Sequence, residues 1–279
     1  MKNKSECTTM LERLCRKFRL DVIRVLHDIQ TGHPGGSLSV CEILTVLYFA
    51  KANVDSGRPD WPERDRIVLT KGHAAPMLYR VLAEKGFFPV DEMKTLRQLG
   101  SRLQGHPSSC DTPGVELSAG PLGIGLSSCV GIALGLKLSG INSSVYAIMG
   151  DGELNEGTVW EACMSAVKFK TDNLIVIVDR NHVQLDGTEE EIMPMGDLNA
   201  KFASFGFEVF SCNGHDIEEI SDSIDSAKSV VGKPAVIIAE TVKGKGVSFM
   251  EGKNIWHGRP ISGEEYLLAM KELGDNSDG

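Results

Sequence analysis

No window of the 279-residue chain approaches the roughly 18 consecutive apolar residues that a membrane-spanning helix needs, so no membrane association is expected. The N-terminal stretch MKNKSECTTMLERLCRKF lacks an apolar segment followed by a small-residue cleavage site, which removes the usual sign of secretion. Positive charge is also short. With 29 Lys and Arg against 38 Asp and Glu, the net charge is −9, which argues against binding a nucleic-acid backbone. The seven cysteines, Cys7, Cys15, Cys41, Cys110, Cys129, Cys163 and Cys212, include no C-x-x-C pair and are odd in number. They read as reduced thiols of a cytoplasmic protein, and no Cys/His arrangement supports a catalytic cysteine. Neither G-x-G-x-x-G nor G-x-x-x-x-G-K-[ST] occurs, so the dinucleotide and P-loop readings lose their main support. There is no internal repeat, low-complexity tract or linker.

What is present is an ordinary globular composition, 42% hydrophobic and 24% charged, sufficient for a sizeable core. Apolar residues recur at helical spacing over residues 10–30, and the turn TGHPGGS is expected to stop that helix. The run SLSVCEILTVLYFA reads as a second helix with Ser37 or Ser39 near its cap. DRIVLT is a short strand leading into a helix over 71–86. A Gly/Pro/Ser-rich stretch from Gly100 to Gly125 has little regular pattern, and long loops inside a compact domain are usually functional. LSSCVGIALGLKLSG is then a helix of small residues suited to close packing. Apolar strands follow at 144–149, 174–179, 207–211 and 235–240, separated by helical segments. This alternation predicts an α/β fold, a parallel sheet with helices on both faces, in a single domain spanning 1–279, with an N-terminal helical region folded onto it. The last residues, GDNSDG, read as a frayed tail.

Two strand ends carry unusual polar groups. VYAIM runs into Gly150-Asp151-Gly152, and LIVIV runs into Asp179-Arg180-Asn181. Ligands of such sheets sit outside the carboxyl ends of the strands. Asp151 offers a carboxylate, Asn181 an amide oxygen, and Val183 a backbone carbonyl. Three oxygen ligands suit Mg²⁺, which keeps the rest of its shell for phosphate and water. Gly150 and Gly152 would let phosphates approach the backbone, and a helix beginning near Glu156 could aim its first amides at them. GDG as a plain tight turn, with Asn181 as a loop residue, is the competing interpretation; the pairing of the two favours the metal.

The interval from Gly150-Asp151-Gly152 to Asn181 resembles the thiamine-diphosphate motif, and the wider sequence resembles the transketolase family. TGHPGGSLS (31–39), KGHAAPMLY (71–79), QGHP (104–107), AGPLGIGLSSCVGIALGLK (119–137) and TVKGKGVSF…WHGRP (241–260) occur in that family's order. The resemblance implies a thiamine-diphosphate-binding fold and transfer of a two-carbon ketol unit from a ketose phosphate to an aldose phosphate. It implies Asp151, Asn181 and the Val183 carbonyl as ligands of Mg²⁺, with Ca²⁺ or Mn²⁺ as possible substitutes. It places Gly120 by the aminopyrimidine, His73, Gly150, Gly152 and His257 by the diphosphate, and His33, His106 and His257 by the reacting carbon of the sugar. His27, His182 and His215 match nothing in the pattern. Lys243 and Lys245 could seat phosphate or form an exposed basic turn, and TEEE at 188–191 reads as solvated surface.

The family's pyrimidine-binding and C-terminal domains, with the glutamate that activates the cofactor, have no counterpart here. The chain is therefore expected to be the N-terminal, diphosphate-binding subunit of a split transketolase. Its partner would be a C-terminal subunit carrying the pyrimidine-binding domain, in an α2β2 assembly acting on sugar phosphates. The alternatives are an α-type subunit of a 2-oxo-acid dehydrogenase, a deoxyxylulose-phosphate synthase-like enzyme, a non-catalytic accessory subunit, or a fragment of a longer chain.

Overall fold

Short runs rich in Val and Ile, too short for stable helices, become the sheet. The computed structural model describes residues 4–274, and its strands are β1 (Arg66–Leu69), β2 (Val145–Gly150), β3 (Leu174–Arg180), β4 (Glu208–Asn213) and β5 (Ala235–Glu240). They form one five-stranded sheet in the order β1-β2-β3-β5-β4, with every neighbouring pair parallel. The helices are α1 (Lys4–Ile29), α2 (Pro34–Ser39), α3 (Cys41–Val46), α4 (Ala75–Lys85), α5 (Ile124–Leu138), α6 (Gly157–Lys168), α7 (Glu189–Ile192), α8 (Leu198–Phe205), α9 (Ile217–Lys228) and α10 (Gly263–Leu273).

Because side chains alternate along a strand, each central strand feeds two cores. Tyr146, Ile148, Ile175 and Ile177 pack with Phe18, Ile43, Leu78 and Ile224 from α1, α3, α4 and α9. Val145, Ala147, Met149, Val176 and Val178 pack with Leu126, Val159 and Phe202 from α5, α6 and α8. Burial on both faces is why these strands are continuously apolar rather than alternating. The β2–β3 register pairs Gly150 with Asp179, so these strands end level and present Asp151 and Asn181 on the same side of the sheet.

The expected elements are present, with three differences of physical interest. The helix anticipated over 37–50 is broken into α2 and α3 at Val40, and its last turn, Leu47–Lys51, widens into a π-helical turn closed by the Ala52 amide on the Leu47 carbonyl at 2.8 Å. The HPGG segment is helix rather than turn. Pro34 occupies the first position, where its missing N–H costs nothing. Gly35 is glycine for space, since a Cβ there would lie 2.9 Å from both Lys243 Cγ and the Trp256 carbonyl oxygen. Consequently neither Ser37 nor Ser39 caps a helix: Ser37 Oγ donates to the His33 carbonyl at 2.7 Å, and Ser39 Oγ donates to Asp179 Oδ2 at 2.6 Å.

TEEE is only partly surface. Thr188 caps α7 in a reciprocal box with Glu191, but Glu189 is buried against Arg180. The stretch from Gly100 to Gly123 holds no regular element, as expected. Gly274 closes α10 in the left-handed region at φ 75°; the rest of the anticipated tail, 275–279, lies outside the described residues. Among the described residues, no helix is long and apolar enough to cross a membrane.

Candidate active site

The carboxyl ends of β1, β2, β3 and β5 each deliver a polar group to one cavity of about 210 Å³. β1 runs into Lys71 and, on a short 3-10 turn, His73; β2 into Asp151; β3 into Asn181 and Val183; β5 into Lys243. Gly36 of α2 and His257, from the 3-10 turn Asn254–His257, complete the wall together with Gly150, Gly152, Glu153 and Gln184.

Asp151 is 3% exposed, and both its oxygens accept backbone amides, Oδ1 from Gly152 at 2.9 Å and Oδ2 from His182 at 2.6 Å. His182 reaches that position through a left-handed backbone (φ 61°), a conformation a non-glycine residue adopts at some energetic expense. Its imidazole is exposed and pairs with Glu240, so the backbone amide, not the ring, serves the site. Burial, followed by the nearby Asp179 carboxylate, pushes the Asp151 carboxyl up to about 6. Among the described residues no Lys or Arg forms an ion pair with Asp151. The adjacent cation is taken: Lys71 pairs with the fully buried Asp179, which also accepts from Ser39 and Thr241. A buried carboxylate without a counter-ion is costly, which is the condition a bound cation relieves.

The neighbouring oxygens suit a hard ion. Asn181 Oδ1 accepts only a 3.2 Å bond from the Val183 amide, and the Val183 carbonyl accepts one bond, from Lys243 Nζ at 2.9 Å, leaving a lone pair. Lys243 is no exposed basic turn. It is 2% exposed, and its three donors go to Val183 O, Gln184 O (3.1 Å) and His257 Nδ1 (3.0 Å). Burial and the Lys71 charge lower its pKa to about 8. Gln184 Nε2 is buried and has no hydrogen-bond partner, a donor left over at the wall of a cavity that could receive an anion. The oxygen set and the one spare donor, Gln184 Nε2, fit a metal-bound diphosphate.

Four of the histidines converge. His33 lies 5.6 Å from His73, 6.2 Å from His106 and 5.4 Å from His257 between ring centroids, and His73 stacks on His257 at 5.0 Å. Burial first, then the charges of Arg97, His106 and Lys243, lowers His33 to about 4; burial and Lys243 lower His257 to about 3. His73 and His106 are shifted down too, chiefly by burial. All four are neutral at physiological pH, able to donate or accept hydrogen bonds but carrying no charge. His215 stays apart, bonded to Glu42 and to the Val242 amide, and His27 stacks on Tyr266.

Two features named from the sequence lie away from this cavity. Gly120 does not line the cavity; its neighbour Ala119 packs against Gly72, beside His73. The N-terminus of α6 does not reach the cavity either, because a 3-10 turn over Gly152–Asn155 intervenes and α6 starts only at Gly157. The buried Glu153 of that turn instead accepts from Thr70 (2.7 Å) and the Gly123 amide (3.0 Å), tying the irregular loop to β1. Lys71, Asp179, Gln184 and Arg97 were not singled out from sequence. Only Lys71, a lone cation closing an apolar strand, carries a signal that a sequence pattern could show.

Comparison with known proteins agrees with this arrangement. Residues 11–278 match the family described as transketolase, thiamine diphosphate binding domain. The chain is 43% identical over 272 residues to the 6-deoxy-6-sulfo-D-fructose transketolase subunit SqwG of Clostridium sp. (strain MSTE9), covering 96% of this chain and 98% of that one. It is 46% identical over 244 residues to an apulose-4-phosphate transketolase subunit of Actinobacillus succinogenes, covering 88% of each. Its fold superposes on Campylobacter jejuni transketolase with a TM-score of 0.90 at 35% identity, covering 95% of this chain and 43% of that one. The chain belongs to the transketolase family, within its thiamine-diphosphate-binding part, and corresponds in extent to relatives that are named as subunits.

Proposed function

We propose that this chain is the diphosphate-binding subunit of a two-chain transketolase, completed by a subunit that carries the pyrimidine-binding and C-terminal domains, in an α2β2 assembly. The observation that carries the reading is the buried Asp151 carboxylate without a counter-ion, lining one cavity with Asn181, Val183 and the neutral His73 and His257. Asp151, Asn181 and the Val183 carbonyl would hold Mg²⁺, or Ca²⁺ or Mn²⁺ in its place. His73, His257, Gly150, Gly152 and the spare Gln184 amide would receive the diphosphate, with Gly120 by the aminopyrimidine. When bound, thiamine diphosphate supplies a nucleophilic carbon able to take up a two-carbon ketol unit.

The residues of this chain then have three tasks. The metal set would fix the diphosphate end, His33, His106 and His257 would exchange hydrogen bonds and protons with hydroxyls of the sugar, and Leu122 and Leu185 in the cavity wall would limit the access of water. Substrate selection at the far end of the sugar would fall to the companion chain. That division is compatible with relatives named for apulose 4-phosphate and 6-deoxy-6-sulfo-D-fructose, and with a Pichia stipitis transketolase structure in complex with sedoheptulose 7-phosphate that is 32% identical. A non-catalytic role is disfavoured, since His73 and His257 line the same cavity as Asp151, Asn181 and Val183, and His33 and His106 cluster with them.

Calorimetric titration of thiamine diphosphate and Mg²⁺ into the assembled complex tests the assignment. Asp151→Ala removes the only carboxylate of the set and should abolish metal-dependent binding, and Asn181→Ala should weaken it roughly 10- to 100-fold. Wild-type affinity in the Asp151 variant would remove the metal site from this account.

A further inference from the structure

Arg97 stands in an unusual state beside the histidine cluster. Its backbone is left-handed (φ 63°), an arrangement for which an arginine has no intrinsic preference. Among the described residues its guanidinium pairs with no carboxylate. One terminal nitrogen donates to Thr31 Oγ1 at 3.0 Å, the other lies 3.2 Å from His33 Nδ1, and Nε is buried without a partner. Gly105, next to His106, is open for this group: a Cβ there would lie 3.2 Å from the guanidinium carbon. Arg97 therefore braces the two turns that carry His33 and His106, and does so with a strained backbone and an unneutralised charge.

The contact with His33 has one chemical reading. A guanidinium has donors and no acceptor, so His33 Nδ1 must accept, and the imidazole proton must reside on Nε2. We propose that Arg97 is a positioning residue that locks His33 as the neutral Nε2–H tautomer, making this histidine a hydrogen-bond donor to a sugar oxygen and not a proton acceptor. The opposite edge of the ring faces Gly258, where a Cβ would sit 3.7 Å from His33 Cδ2 and 3.8 Å from Nε2; the absence of a side chain there keeps the donating edge open. The groups that face His33 are Arg97, Lys243, His73, His106 and His257, none of them an acid, so nothing nearby draws a second proton onto the ring. The role of His33 at a sugar rests on the function proposed above; the tautomer does not.

Two measurements keep these apart. The full chain, labelled with ¹⁵N-histidine and assigned with a His33→Gln variant, reports which ring nitrogen of His33 bears the proton. Wild type should show Nε2–H alone and stay neutral down to pH 5. Arg97→Met should mix the tautomers and raise the His33 titration by about one pH unit, as expected for losing a nearby like-signed cation. Arg97→Lys should restore most of the wild-type pattern. An Nδ1–H tautomer in wild type, or an unchanged pattern in Arg97→Met, overturns the proposal, and if Arg97→Met does not fold, the wild-type and Arg97→Lys spectra decide alone. In the assembled enzyme, His33→Gln, which keeps a donor near the Nε2 position, should retain at least tenfold more kcat/KM than His33→Ala, and Arg97→Met should move the acid limb of the pH profile upward. Equal loss in His33→Gln and His33→Ala would mark His33 as a base and refute the donor role. A complex with no ketol transfer at all, beside spectra that show the locked tautomer, would instead count against the proposed function.

Discussion

Individual residues at this site are held in states that water would not allow. Asp151 is an acid pushed up to about 6 by burial, while His33 and His257 are bases pushed down to about 4 and about 3, also by burial first. The histidines have a consequence for stability. In the unfolded chain each titrates near its ordinary value of about 6.5, so between that pH and about 4 the unfolded state binds protons that the folded state refuses. Their contribution to stability is complete above pH 6.5 and is lost as the pH falls toward 4. The urea midpoint of the chain should drop over this range, and a His33→Gln/His257→Gln double variant should drop less steeply. Superimposable pH profiles for the two proteins would show that these rings are not held neutral by the fold.

At the scale of elements, glycine has two distinct uses, and substitution separates them. Gly35 lies where α2 crosses Lys243 and Trp256, with no room for a Cβ, whereas Gly131 on α5 is exposed and a Cβ there would meet nothing within 4 Å. Gly35→Ala should lower the melting temperature and disturb the cavity. Gly131→Ala should stabilise the isolated chain by up to about 1 kcal/mol, because alanine is the better helix former. If α5 also forms part of the subunit interface, as its exposed Ile124, Leu138 and glycine face suggests, the same substitution should weaken assembly. Melting curves of the two variants, read beside their sedimentation with the companion chain, check both halves; equal destabilisation of the isolated chain would contradict the distinction. The same contrast explains what was legible beforehand. Strand pattern, helix order and the Asp151–Asn181 pair follow from local periodicity and spacing, whereas the four clustered histidines are indicated only by the resemblance to the transketolase family. The break at Val40, the burial of Lys243 and Glu189, and the ion pair between Lys71 and Asp179 arise from segments that meet only in the folded chain. The exclusion of α6 from the cavity depends on a single 3-10 turn, a difference of a few residues that no periodicity marks.

At the scale of the whole molecule, the carboxyl edge of the sheet brings Lys71, Asp151, Asn181, Val183 and Lys243 to one cavity with His73 and His257 in its wall, and the proposed two-chain function assigns the remaining contacts to a companion subunit. Mixing is the most direct measurement. The purified chain, its companion subunit and the mixture are assayed for ketol transfer with thiamine diphosphate and Mg²⁺ present throughout. Neither chain alone should turn over, the mixture should, and the mixture made with Asp151→Ala should not. Full turnover by this chain alone, or undiminished turnover by the Asp151→Ala mixture, would contradict the account.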